Sequence, residues 1–233
     1  MTLEILCSLV IFKIRMLDMH FVQSIGGALM FISFWTFKTT SLGGLNAAAN
    51  QAMGIYNRLS EGEANTGLWA LGGSGVGQFG FHLTTATGAK NAALRNSFRN
   101  DPEGQAWNAA FFGMSEFTGQ YFQRNVLSLS DTVLDHIGFF STFSFIPHSL
   151  ETMMEAVPAS AEIWKKAGCQ SLHLSATQGS GMGNFSFNTH FENEADYGAI
   201  SDRINEDEAW RDWQAKYFGT ATWTGHLLGS RVL

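Results

Sequence analysis

Gly73-Ser74-Gly75-Val76-Gly77-Gln78-Phe79-Gly80-Phe81 recurs 106 positions later as Gly179-Ser180-Gly181-Met182-Gly183-Asn184-Phe185-Ser186-Phe187. The match runs outward both ways. Upstream, Phe34-Trp35-Thr36-Phe37 falls on Phe140-Ser141-Thr142-Phe143. Downstream, Asp101 falls on Asp207, Trp107 on Trp213, Phe112-Gly113 on Phe218-Gly219 and Val126-Leu127 on Val232-Leu233. About twenty identities join 31–127 to 137–233 with no gap. A match of that length marks one duplicated fold, and two copies are too few for an open solenoid.

Each copy carries the same string of local signals. Leu29–Lys38 and Ile137–Ile146 are β-branched and aromatic and predict strands. Residues 42–60 and about 149–167 place apolar side chains at helical spacing. Pro158 falls inside the second of these, and its missing N–H predicts a kink or break. Gly62 and Gly168 follow the helices, where a left-handed cap is expected. Short strands at Asn65–Leu71 and Ser171–Thr177 lead through the glycine-rich turns into Gly77–Thr85 and Gly183–Phe191, which alternate strictly. Helices over 88–99 and 194–205, then 102–112 and 208–218, precede closing strands Glu116–Leu127 and Thr222–Leu233. The order β-α-β-β-α-β leaves one sheet face bare of helices, and a twin can cover it. The expected organisation is an extension over 1–28, a repeat over 29–127, a connector over 128–136 and a second repeat over 137–233.

Bulk properties exclude some partners. The chain has 233 residues, 45% apolar and 15% charged, with a formal net charge of −6. An acidic balance without basic runs offers no footprint for nucleic acid or an anionic membrane. Cys7 and Cys169 are not at equivalent positions and form no metal spacing, so a reduced, cytoplasmic protein with a buried thiol is expected. The apolar stretch Leu3–Ile14 is too short to span a bilayer, and its positive residues follow rather than precede it. It reads as a start placed upstream of the native one, with residues 1–18 not native. An added helix and a membrane-targeting segment are the competing readings.

The glycine-rich hairpin into Gln78-Phe79-Gly80-Phe81, the stretch Asn100-Asp101-Pro102-Glu103-Gly104-Gln105-Ala106-Trp107, and their copies at Asn184–Phe187 and Glu206-Asp207-Glu208-Ala209-Trp210 carry a resemblance. The pattern resembles the dimeric α/β-barrel superfamily, the ferredoxin-like group that includes the antibiotic-biosynthesis monooxygenase domains. The resemblance implies an α+β fold: two tandem ferredoxin-like repeats forming an intramolecular dimeric α/β barrel. Members include cofactor-free oxygenases, haem-degrading enzymes and isomerases, and they share no single catalytic set. Neither repeat matches by spacing the His, Asn and Trp constellation of the haem-degrading members.

In such a barrel the strand face turned from the helices lines the interior. Alternation assigns Trp69, Leu71, Gln78, His82 and Thr84 to it from the first copy. From the second come His173, Ser175, Thr177, Asn184, Ser186, Asn188 and His190. The enzyme reading gives His82, His173, His190 and Asn188 the handling of protons or the steadying of an enolate. Trp69, Gln78, Thr84, Ser175, Asn184 and Ser186 then wall a pocket for a small apolar or aromatic molecule. The competing reading makes the histidines hydrogen-bonded interior groups and Trp69 packing. His173 and His190 on adjacent strands lack a third ligand, so no metal and no cofactor are expected. The glycines at 72–77 lie between two strands and read as a hairpin rather than a phosphate loop. Trp107 and Trp213 read as core anchors. Three function classes stay open: a cofactor-independent monooxygenase or isomerase, a non-catalytic ligand-binding or structural protein, and a haem-handling protein. A pseudo-dimer within one chain is expected, with further homodimerisation as an alternative.

Overall fold

The structure is a computed structural model that describes residues 30–130, 134, 136–178 and 182–233. The readings for 1–28, for Cys7 and for the turn at 179–181 lie outside the described residues. The first set of elements is β1 (Phe31–Thr39), α1 (Leu42–Leu59), β2 (Asn65–Gly73), β3 (Phe79–Thr85), α2 (Gly88–Asn100), α3 (Pro102–Met114) and β4 (Ser115–Ser128). The second is β5 (Phe139–Pro147), α4 (Leu150–Lys166), β6 (Ser171–Gln178), β7 (Phe185–Phe191), α5 (Glu194–Glu206), α6 (Glu208–Tyr217), a 3-10 turn at Phe218–Thr220 and β8 (Ala221–Arg231).

Side-chain caps set the helix starts. Ser41, Thr87 and Asp101 accept from the backbone N–H groups of Gly44, Lys90, and Glu103 with Gly104. Ser149, Asn193 and Asp207 do the same in the second set. Each cap satisfies a donor that the first helical turn leaves free. Pro102 opens α3, where its missing N–H costs nothing. Gly62 and Gly168 stand at φ +84° and +105°, the left-handed ends expected of them. Pro158 does not break its helix: α4 is continuous from Leu150 to Lys166.

All strand pairs are antiparallel, and the eight strands close into one barrel in the order β1-β3-β2-β8-β5-β7-β6-β4. This corrects the picture of two bare sheets closing face over face. The halves join edge to edge, β2 on β8 and β4 on β6, and their bare faces become the wall of a common interior. Closure removes every open sheet edge. Helices cover the outside. One apolar core lies beneath α1, α2 and α3 and holds Leu45, Leu68, Leu83 and Phe98; the other lies beneath α4, α5 and α6 and holds Trp164, Leu172, Leu174 and Ile204.

The ungapped register also needs correction. Phe34 pairs with His82, and Thr142 pairs with Asn188. His82 and Asn188 are 106 apart, whereas Phe34 and Thr142 are 108 apart. Trp107 and Trp213, again 106 apart, donate their indole N–H groups to Ala48 and Ala156, which are 108 apart. The first strand and first helix therefore match at 108, and everything after the helix matches at 106. Ser60 and Glu61 before Gly62 are the two extra residues. Phe34 is thus equivalent to Thr142, not to Phe140.

Candidate functional site

Alternation sorts the strand residues as the sequence implied. The helix-side face carries Leu68, Phe81 and Leu83, and the interior carries Trp69 and Leu71. What fills the interior differs from an open chamber. Trp69, Leu71 and Phe140 form a buried apolar plug with Phe34 and Leu227 packed on it. Phe140 meets Trp69 and Phe34 edge-on, at centroid distances of 4.9 and 6.1 Å. Gly80 and Gly229 make room for those rings, since a Cβ would stand 2.2 Å from Phe34 and 2.1 Å from Phe140. Beside the plug runs a buried polar chain. Thr142 donates to Asn188 Oδ1 (2.9 Å), Asn188 Nδ2 donates to Ser175 (3.0 Å), and Ser175 donates to Asn125 Oδ1 (2.7 Å). Gln123 Nε2 donates to Ser186, which also meets Ser144. Every partner is satisfied, the condition under which buried polar groups specify rather than destabilise a core.

The proposed site residues divide between the barrel's two ends. At the hairpin end a cavity of about 320 Å³ is lined by Gln78 and Asn184 with Tyr121, Gln123, Thr142 and Thr177. Trp69, Thr84, Ser175 and Ser186 do not line it, and neither do the three histidines or Asn188. Those histidines gather at the other end. Trp69 Nε1 donates to His82 Nδ1 (2.7 Å), so His82 must carry its proton on Nε2, which faces Asn65 Oδ1 at 3.1 Å. Arg231 lies over the Trp69 ring at 5.7 Å. Ser171 Oγ links His190 Nδ1 (3.1 Å) to His173 Nε2 (3.3 Å), and the two rings stand 5.4 Å apart. His173 Nδ1 is buried without a partner. Burial pushes His82 down to about 3, helped by Arg231, and His190 down to about 3, helped by His173 and His82. Burial lowers His173 as well. The cluster is therefore uncharged at neutral pH. Among the described residues no group of three or more His, Cys, Asp or Glu side chains is placed to hold a metal ion.

A large apolar pocket lies outside the barrel, away from the inner-face residues. It occupies about 490 Å³ between α4, α6 and the outer faces of β5 and β8. Met153, Ala156, Val157 and Trp164 on α4 form one wall, Trp210, Trp213 and Tyr217 on α6 another, and Phe143, Phe145, Trp223 and His226 the floor. Trp210 and Trp213 stack at 4.8 Å and 4°, and Phe218 stacks on Trp223 at 5.1 Å. Trp213 is the expected anchor, with its N–H on the Ala156 carbonyl at 2.8 Å, and it is also pocket wall. No Lys, Arg, Asp or Glu contributes to the lining. A sequence signal existed: Trp164, Trp210, Trp213 and Trp223 crowd the second copy, and Trp210 and Trp223 replace Gly104 and Phe117 of the first. Pockets of this size, aromatic with a few polar groups, are the usual form of a small-molecule site.

No family model matches the chain, and no curated protein matches it. Solved structures do. A haem-binding protein from Thermus thermophilus is 12% identical, covers 88% of this chain and 91% of its own, and superposes with a TM-score of 0.57. A chlorite dismutase variant from Candidatus Nitrospira defluvii gives 10% identity, 88% and 92% coverage and 0.56. A provisionally described monooxygenase from Fusobacterium nucleatum gives 8%, 88% and 92%, and 0.54. At this identity the likeness establishes the fold, the dimeric α/β barrel of ferredoxin-like halves, and leaves the chemistry to the residues of this chain. Those residues do not suit haem in the aromatic pocket. His226 is its one imidazole, with Nε2 held 2.9 Å from Ser141, a residue outside the lining, and the ring flat on Phe143 at 4.0 Å and 8°. No cationic side chain stands in the wall to meet propionates.

Proposed function

We propose that this chain binds a small, neutral, flat apolar molecule in the pocket between α4, α6, β5 and β8, as a non-catalytic ligand-binding protein. The observation that carries the reading is the pocket itself: about 490 Å³, walled by stacked aromatic rings, with no charged group in the lining. An anion or cation entering it would lose its hydration without gaining an opposite charge, which costs far more than apolar burial returns. A planar ligand instead gains ring contacts against Trp210, Trp213 and Trp223. His226, Gln214 and Ser160 supply the few polar atoms that orient it. The solved structures described as haem-binding or monooxygenase proteins support a ligand-binding use of the fold and no more.

Native mass spectrometry of freshly purified protein tests this directly, with phenanthrene titrated against tryptophan emission as a probe. Saturable quenching is expected, weakened at least tenfold in Ala156→Phe, which fills the pocket. Absence of both a retained molecule and a saturable signal would sink the proposal.

A second reading, a cofactor-independent monooxygenase or isomerase using His82, His173, His190 and Asn188, draws on one observation, the unpartnered buried Nδ1 of His173. Such groups are rare in folded proteins and accompany functional sites. It requires a substrate to reach the end of the barrel where these imidazoles gather, beside the buried plug of Trp69, Leu71 and Phe140. Soaking with small ketones and reading imidazole shifts by NMR distinguishes it: perturbation of His173 supports it, silence removes it.

A further inference from the structure

We propose a second binding site, in the first half of the chain, for an aromatic carboxylate whose ring enters an apolar pocket and whose charge is met by Arg95 and Arg99. The pocket is the counterpart of the one described above and holds about 250 Å³. Phe37, Tyr56, Phe81, Phe98, Trp107 and Phe111 supply its aromatic walls. Unlike its counterpart it has two cations in the lining, both from α2.

Among the described residues those cations lack an anion. The ion pairs there join Arg58 to Asp101 and Glu103, Lys90 to Glu63, Lys165 to Glu162 and Lys166 to Asp207. None includes Arg95 or Arg99. Arg95 Nε is buried with no hydrogen-bond partner, and the guanidinium lies over the Phe122 ring at 4.5 Å, which shields one face from water. Arg99 spends Nε on the Arg95 carbonyl at 3.2 Å, one turn back along the helix. Two like charges held side by side, one with a donor left unmet, are unfavourable until an anion arrives. The guanidinium fork matches a carboxylate in a way an ammonium does not.

Tyr56 adds a donor. Its ring is stacked on Phe98 at 4.5 Å and lines the pocket. Burial pushes the phenol up to about 12 despite both arginines, so it keeps its proton and can donate. In the second half the positions of Arg95 and Arg99 are Ser201 and Asn205. The duplicated pocket has thus kept its aromatic lining in both halves and its charge in one, which separates a site for an anion from a site for a neutral molecule. The two sites share no residue, so the anion site stands whether or not the neutral one is occupied.

Isothermal titration of the full chain with 1-naphthoate, and with 1-naphthalenemethanol as the neutral isostere, tests it. The anion is expected to bind roughly tenfold or more tightly than the alcohol, the scale of a charge-assisted hydrogen bond. Arg95→Gln with Arg99→Gln should remove that preference, so that anion and alcohol bind alike, while Arg95→Lys should retain part of it. Equal affinity for anion and alcohol, no binding of 1-naphthoate, or undiminished anion binding in R95Q/R99Q each overturns the proposal. Melting curves establish that the variants fold, and R99Q alone carries the comparison if the double variant does not. Phenanthrene binding measured on R95Q/R99Q keeps the outcome separate from that for the second-half pocket.

Discussion

His82 shows how burial decides a charge. Trp69 can only donate, so His82 Nδ1 must accept. Burial strips the water from a charged imidazole and Arg231 adds repulsion, and a proton on Nδ1 would also set two donors against each other. The folded value of about 3 lies below the ordinary 6.5, so between these the unfolded chain binds more protons. The histidine's contribution to stability is complete above about pH 6.5 and is lost as pH falls from there toward 3. The melting temperature is expected to drop between pH 7.5 and 4.5, and to drop less in His82→Asn, which puts at this position the residue that its copy, Asn188, already carries. An equal drop in both proteins would contradict the assignment. Gly229 makes a steric point at the same scale. Its missing side chain is the space that Phe140 fills, so Gly229→Ala should cost about 1–3 kcal/mol in denaturant unfolding, the scale of overpacking.

Helix α4 runs through Pro158 unbroken because apolar contacts hold both sides of the proline: Met153 and Val157 before it, Ala161 and Trp164 after it, all in one core. The local cost of proline remains even where packing overrides it. Pro158→Ala is therefore expected to stabilise the protein by up to about 3 kcal/mol, read from the denaturant midpoint at constant m-value. A lower midpoint would mean that proline's restriction of the unfolded chain outweighs the lost helix bond. Elements of this kind were largely legible. The strands and the helix pairs follow from alternation and helical spacing, and Gly62 and Gly168 mark where two helices end. The shift from 108 to 106 was not, because Phe34 on Phe140 is an identity and Phe34 on Thr142 is not. Ser33 with Ser141, Ala48 with Ala156 and Ile55 with Ile163 carry the better register, but they are few beside the identities at 106.

Taken whole, the molecule is a barrel whose halves complete each other's hydrogen bonds. Either half alone would expose the edges of β2 and β4, or of β6 and β8, together with the inner faces that meet around Trp69 and Phe140. Unfolding is expected to be one cooperative transition, with calorimetric and van't Hoff enthalpies equal. Two resolved transitions would mean that the seams contribute little. The site was the least legible part. Alternation put the right side chains on the inner face, but it could not tell a filled interior from a hollow one. Nor could it tell that Gln78 and Asn184 stand at one mouth while His82, His173 and His190 gather at the other end.

By itself the sequence determined the duplicated β-α-β-β-α-β unit, the face each strand residue takes and the helix boundaries, because these depend on neighbours within a few positions. Tertiary structure decided where the space is. Cavities are what remains after side chains from distant segments have packed: Phe140 crosses into the barrel over Gly229, and Trp210 and Trp213 wall the space left between α4, α6 and the sheet. Volume left over between packed surfaces belongs to no single stretch of chain.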